Sequence, residues 1–575
     1  MNFSLKTLNV KVLAGWLCML ASFGAFGQNI ESIGKDKPLT ISGGISTNQI
    51  FYAASGIDSR RDPYSYYFTG NLNFNLYGWS VPLSFSLSNQ NVSFQQPFNQ
   101  YSLHPTYKWL TGHFGYTSMT FSPYTLNGHI FLGAGVDATP TDKLKISAMY
   151  GRLRKAVEPD SLHEQNQASY KRIGYGFKAN YGDAQRFAEV ILFRAKDETG
   201  SIAYVPEAEN ILPEENLVVS IAGGYTFFQK VQLKTEWSNS AVTRDQRAEA
   251  GSGKAFFDLG SFFRPRISTA YYQAIKSSLT YMGLGYSVGL GYERIDPEYR
   301  TLGSYFFNND LENITVNGAT ALAGGKVTLS ANVGTQRDNL DGSKITTMRR
   351  AVSSLNVGFV PNERLNISTS YSNFQTFTNV RSQFVDINQL TPYDNLDTLN
   401  FTQISQNANV NFNYLLRGTE DKRKSIAANL SIMKAADKQG EVEQNSGSIF
   451  YNLNTAYSLN MVPKTLTLSA AFNYSFNEAL DTRSTTLGPS LSAAKSLLDK
   501  KLRISGSCSA NNTYVDGSVT NKIISLRVNG GYTIKQKHNL NLSMVGLNRT
   551  IKQETGGGDF TEFTATLGYS YSFGN

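Results

Sequence analysis

Phe563-Thr564-Ala565-Thr566-Leu567-Gly568-Tyr569-Ser570-Tyr571-Ser572-Phe573 alternates between apolar or aromatic residues and small, mostly polar ones. Successive side chains of an extended strand point to opposite faces. Phe563, Ala565, Leu567, Tyr569, Tyr571 and Phe573 therefore share one face, and Thr564, Thr566, Gly568, Ser570 and Ser572 the other. One face suits hydrocarbon and the other water. A last strand of this kind also has to present an edge that a first strand can pair with, so that the sheet closes.

The same period runs back through the chain to about Leu39. It recurs in Val81 to Leu87, with Pro82 the one exception, and in Ile130, Leu132, Ala134 and Val136. It returns in Leu466, Leu468 and Ala470 and in Leu540, Leu542 and Met544. A soluble sandwich alternates too, so the connectors decide between the readings. Short ones fall at Gly78–Ser80, Leu110–Gly112, Pro140–Lys143, Gly182–Gln185, Phe228–Lys230 and Gly283–Tyr286. Six more fall at Gly324–Lys326, Pro361–Glu363, Arg417–Lys424, Val462–Lys464, Asp499–Lys501 and Lys535–His538. Generally longer connectors lie between them, among them 154–169, 197–215, 242–268, 296–311 and 375–400. That parity predicts one transmembrane antiparallel β-barrel over 39–575, of about 26 strands, with 24 next and 22 still possible. It places both chain ends and the short turns in the periplasm and the long loops outside. The weakest strands are those near Gln100–Trp109, interrupted by Pro105, and Arg483–Leu497, which contains Pro489.

Composition agrees. Of 575 residues only 17% are charged and 12% are aromatic, with 32 Tyr and 35 Phe against 4 Trp. Beyond the N-terminus there is no apolar run long enough for a membrane helix. Lys6 and Lys11, the apolar stretch Val12–Phe23 and Ala25-Phe26-Gly27 read as a signal peptide over 1–27, cleaved before Gln28. A short periplasmic segment, 28–38, would follow. Leu17 before Cys18 is too bulky for a lipoprotein site. Cleavage would leave Cys508 as the single thiol, a small strand residue with no disulfide partner. It would also reduce the net charge from +9 to +7, without like-charge blocks that would suit nucleic acid.

Tyr77, Trp79, Trp109, Tyr181, Phe227, Phe228 and Phe359 sit beside short turns, where an interfacial girdle belongs. Thr566-x-Gly568-x-x-Tyr571-x-Phe573 resembles the β-signal by which the barrel-insertion machinery recognises its clients. Gln28, the Tyr/Asn/Gly-rich strands and Glu293–Asp310 resemble large, mostly uncharacterised outer-membrane barrels of Bacteroidota. That resemblance implies a membrane barrel and carries no catalytic or ligand residues.

The chain offers little for chemistry. It has five histidines, His104, His113, His129, His163 and His538, and no nucleotide loop, Cys/His ligand spacing or nucleophile elbow. The expectation is a protein that is not an enzyme and has no cofactor. If Ile130, Leu132, Ala134 and Val136 face lipid, then His129, Phe131, Gly133, Gly135 and Asp137 face the lumen. His113 falls on the preceding strand. Its partners there form either a metal-binding or hydrogen-bonded cluster or, the plainer reading, solvated lumen residues.

Glu293-Arg294-Ile295-Asp296-Pro297-Glu298-Tyr299-Arg300-Thr301-Leu302-Gly303-Ser304-Tyr305-Phe306-Phe307-Asn308-Asn309-Asp310 mixes opposite charges with aromatics. A loop left in water rarely needs Tyr305, Phe306 and Phe307 together. The expectation is that it folds into the lumen or packs on the rim, pairing Arg294 or Arg300 with acids such as Asp296 and Asp310. Strand pattern starts too early for an N-terminal plug domain, so sealing falls to loops, inward side chains or a plugging or periplasmic partner. Two functions follow: a channel or component of a transport system, or a closed barrel that acts as a surface scaffold or binding protein. The partners expected are outer-membrane lipid and the insertion machinery, and not nucleic acid.

Overall fold

A computed structural model describes residues 39–574, apart from 90–98, 160–167, 204–210, 252–261, 345, 346, 348, 374, 375, 380–400, 436, 437, 440, 441, 444–447, 480, 481 and 553–557. The expected signal peptide, the segment 28–38, Cys18 and His163 lie outside the described residues.

Alternation becomes wall. Consecutive strands pair antiparallel around one sheet, and Leu39–Ser55 pairs with Phe560–Phe573 from Gly43↔Phe573 to Ser55↔Thr561, closing the ring. The sheet contains 28 segments. Gln100–Leu103 and Thr106–Tyr107 are two halves of one strand, as are Leu365–Ser372 and Thr376–Asn379, so the barrel has 26 strands. Lys438–Gln439 and Val442–Glu443 form a separate small hairpin within a connector.

Both weak strands are present, and proline acts differently in each. At Pro105 the strand breaks, because proline has no N–H for the ladder. The ladder pairs Ser102↔Gly115, Leu103↔Phe114, Thr106↔Thr111 and Tyr107↔Leu110 join that strand to Leu110–Thr120, and between them the Gly112 N–H donates to the Pro105 carbonyl at 2.8 Å. At Pro489 the strand Thr482–Leu497 continues, and its register against Leu502–Val515 resumes unshifted from Leu487↔Asn512 to Ser490↔Ser509. The long-loop end holds one surprise: Asp516-Gly517 is a two-residue hairpin turn with both φ angles positive, 48° and 85°.

The outward positions form an apolar belt. Val190, Ile221, Val288, Leu290, Ile314, Val316, Leu491, Ile524 and Leu526 are each at least 48% exposed. In water each would forgo about 1.5–3 kcal/mol of burial, whereas hydrocarbon supplies it. Cys508 is exposed in the same belt, opposite Leu491 and Leu526. Beside the short turns, Tyr77, Trp109, Tyr181 and Phe228 are exposed and Trp79 stacks on Tyr107 at 4.9 Å. The last strand places Phe563, Leu567 and Tyr569 outward, while Thr564 and Gly568 are buried. At Gly568 an added Cβ would lie 2.7 Å from Asn48 Oδ1, so a larger residue there would have to displace the Asn48 side chain.

Candidate functional site

The connector between Tyr286–Ile295 and Leu311–Leu322 turns back into the barrel. Phe193 and Val218 have opposite strand parity to the exposed Val190 and Ile221, so they point inward. Leu302 packs with them and with Phe131, Met149, Leu153 and Ile191 in a buried cluster. Tyr299 joins Tyr124, Ala274, Ile295 and Leu311 in a second cluster. The loop is therefore a lumen plug on this side of the ring.

Hydrogen bonds from both its backbone and its side chains tie it to the wall. The Tyr299 hydroxyl donates to the Tyr124 carbonyl at 2.9 Å, and the Thr301 hydroxyl to the Thr125 carbonyl at 2.6 Å. The Leu302 N–H donates to Asn216 Oδ1 at 3.1 Å, and Ser240 donates to the Arg300 carbonyl at 2.7 Å. The Asn127 N–H donates to the Gly303 carbonyl at 2.9 Å. Gly303 itself passes so close to the wall that a Cβ would lie 2.6 Å from the Thr125 carbonyl and 2.7 Å from the Phe193 ring. Buried backbone needs such partners, and a loop that finds them holds one conformation.

The aromatics divide in a way their sequence does not suggest. Tyr299, outside the Tyr305-Phe306-Phe307 run, is the fully buried one. Within the run, Phe307 packs on Tyr124 and Tyr299, while Tyr305 and Phe306 remain exposed by nearly half. Tyr305 stacks on His129 at 4.1 Å and its hydroxyl accepts the Ile130 N–H at 3.1 Å. Burial, then the Glu293 carboxylate it bonds at 2.6 Å, hold the Tyr124 hydroxyl far above the ordinary tyrosine range.

Charges fasten the plug at its rim. Asp197 is fully buried and takes Arg172 through two bonds, 2.7 and 2.9 Å, and Arg154 through a third at 3.2 Å. Arg172 also reaches Glu214 at 3.0 Å, and Glu214 pairs with Arg300 of the plug. Gln246 donates to the Asp197 and Glu214 carbonyls, both at 2.8 Å. Burying charges is costly unless they are paired and hydrogen-bonded, as these are. The sequence offered Arg300 but not Arg154, Arg172, Asp197 and Glu214, which come from four different chain segments.

The other expected residues fall around this plug. Arg294 faces outward, with its Nε 3.5 Å from Asp296 Oδ1. Asp296 fixes the loop's start by accepting the Gln273 N–H at 2.8 Å. Asp310 fixes its end, accepting the Leu340 N–H at 2.9 Å and pairing with Lys344. Glu298, at φ 60°, is bound by Tyr272 and Arg244, and these two bonds lower its carboxyl below the usual range.

His113 and Asp137 meet, with Nε2 2.9 Å from Oδ2. His129 does not join them. It lies eight residues up the same strand, roughly 25 Å away at about 3.3 Å per residue. Its place is taken by His104, whose ring the broken strand brings to His113.

Across the barrel the lumen face is different. Asn411, Asn429, Asn454 and Asn473 stand abreast on four consecutive strands, bonded Asn429 to Asn411 and Asn454 to Asn473. Ser458 and Ser469 bond at 3.0 Å, Asn529 donates to Ser505 at 3.4 Å and Ser543 to Asn529 at 2.8 Å. Below the plug, the lumen face carries Lys145, Lys234 and Lys276 with Glu189 and Glu236 around a cavity of about 670 Å³.

No protein-family model matches the chain, and no curated protein matches it by sequence. Among solved structures, it aligns over 94% of its length with 82% of the FrpB iron transporter of Neisseria meningitidis, at 11% identity and TM-score 0.38. It aligns over 93% with all of the P pilus usher PapC translocation pore, at 10% identity and TM-score 0.37. A third match, over 93%, is to 94% of the outer membrane protein OprD of Pseudomonas aeruginosa, at 9% identity and TM-score 0.32. Similarity at this level identifies no residue and no substrate.

Proposed function

We propose that this protein is an outer-membrane channel or transport component whose path runs along the Asn- and Ser-lined wall, opposite the plug 296–310. The observation that carries this reading is the division of the lumen into a loop-filled side and a polar side lined mainly by Asn, Ser and Thr, with Arg503 and Arg527 among them. A closed barrel with no passage has no use for a water-compatible inner face on strands that none of the described loops covers. The short turns then face the periplasm and the long loops the outside. Thr566, Gly568, Tyr571 and Phe573 would serve the insertion machinery.

The second reading, a surface scaffold or binding protein, is favoured by how completely the plug is hydrogen-bonded. Planar-bilayer recordings separate the two. A channel gives steps from the intact barrel and larger ones once 297–309 is replaced by a short Gly/Ser linker. Folded, heat-modifiable protein that conducts in neither form would rule out a pore and leave the scaffold.

A further inference from the structure

Beside the strand break lies a group that the transport reading does not use. His104 sits in the gap between Gln100–Leu103 and Thr106–Tyr107, and its Nδ1 is 2.9 Å from Nδ1 of His113. The rings cross at 69° with their centroids 5.1 Å apart. Behind His113, Nε2 lies 2.9 Å from Asp137 Oδ2, and the other Asp137 oxygen accepts the Ser147 hydroxyl at 2.5 Å.

An ionised carboxylate only accepts, so the His113 proton belongs on Nε2 and its Nδ1 carries a bare lone pair. A carboxylate behind an imidazole is the arrangement that orients histidines on metals and raises their basicity. Two nitrogens each about 2.0–2.1 Å from one ion stand about 2.9 Å apart at a 90° angle and about 3.4 Å at the tetrahedral angle. The observed separation matches the first, the cis edge of a tetragonal Cu(II) or Ni(II) centre.

The geometry points to a divalent transition-metal site formed by Nδ1 of His104 and Nδ1 of His113, with Asp137 as the positioning residue behind His113. Among the described residues no three or more His, Cys, Asp or Glu side chains gather to hold a metal, so lumen water completes the coordination and the ion exchanges readily. Binding replaces the His–His hydrogen bond. The His104 proton moves from Nδ1 to Nε2, and no proton is lost when both rings are neutral. The ion ties the broken strand to Leu110–Thr120 where their ladder is thinnest. His129 and His538 offer no such pair: their Nδ1 atoms meet the Ile130 carbonyl and the Tyr569 hydroxyl, each at 2.8 Å.

The test is calorimetric titration of tag-free, folded barrel in detergent with CuCl2, alongside Cu(II) electron paramagnetic resonance. One equivalent should bind with a two-nitrogen signature. His104→Ala and His113→Ala should each weaken binding at least tenfold, Asp137→Asn by about 10–100-fold, and His538→Ala should change nothing. His104→Gln serves if the alanine variant fails to fold. Equal binding by wild type, H104Q and H113A, or no single-equivalent binding by wild type, overturns the site.

Discussion

Seen from the lipid, the arc from Leu110 to Arg337 and the arc from Phe401 to Ile534 are the same kind of wall; seen from the lumen they are not. The first buries Phe131, Leu153, Ile191, Phe193 and Val218 on its inner face. In the second, among the described residues, no hydrophobic side chain is buried, and the inward residues that are buried include Ser431, Asn452, Asn473, Ser475, Thr486 and Asn511. The difference follows from the connectors. An inward apolar residue is stable only where another segment returns to cover it, and 296–310 does so over the first arc. Where none of the described loops returns, Asn, Ser and Thr bond to one another across the strands.

The most severe way to break this contrast is at the plug's ionic rim. Asp197→Asn leaves Arg154 and Arg172 without their buried counter-charge, and we expect a loss of about 3–5 kcal/mol. Denaturant midpoints of the detergent-folded barrel measure it, and a loss under about 1 kcal/mol would show the network to be ornamental. Next in size is Leu302→Ala, expected to cost about 2–5 kcal/mol through the cavity left among Phe131, Phe193 and Val218. Asn454→Ala on the opposite wall should cost only about 0.5–1.5 kcal/mol, the net worth of one hydrogen bond. Equal costs for these two variants would erase the distinction between the arcs.

The smallest effect is on pH. Bonds from Tyr272 and Arg244 to the charged carboxylate lower the Glu298 pKa, so its contribution is full above the unfolded value of about 4.3 and is lost as pH falls through the lowered native one. Glu298 and Arg244 are 58% and 55% exposed, which limits the pair to under about 1 kcal/mol. Protease nicking of 296–310 should stay level from pH 8 to 5 and rise below about 4. Glu298→Gln should abolish that rise; a rise beginning near pH 6 would assign the loop's anchoring to another group.

Much of the wall was legible before any coordinates. Val81–Leu87 and Phe563–Phe573 report their faces by period alone, and the parity of the connectors gives the strand number. Pro105 and Pro489 show the limit of that reading: both lack an N–H, yet one strand breaks and the other keeps its register. The plug was legible in part. Its mixture of charge and aromatics marked Glu293–Asp310 as more than a spacer, but Tyr305, Phe306 and Phe307 were poor guides to its anchors. Tyr299, Thr301 and Leu302 hold it, because burial depends on what lies opposite, and Tyr124, Asn216 and Phe193 are distant in sequence.

The sequence by itself determined a closed antiparallel barrel with an apolar outside, because a two-residue period and a lipid-facing stripe are local properties of the chain. Tertiary structure alone decided which part of the lumen is filled, where Arg172, Asp197, Glu214 and Arg300 converge, and that His113 meets His104 while His129 stays with Tyr305. Those outcomes depend on strand register and on the path of one loop across the barrel, which bring together residues as near in sequence as His104 and His113 and as distant as His129 and Tyr305.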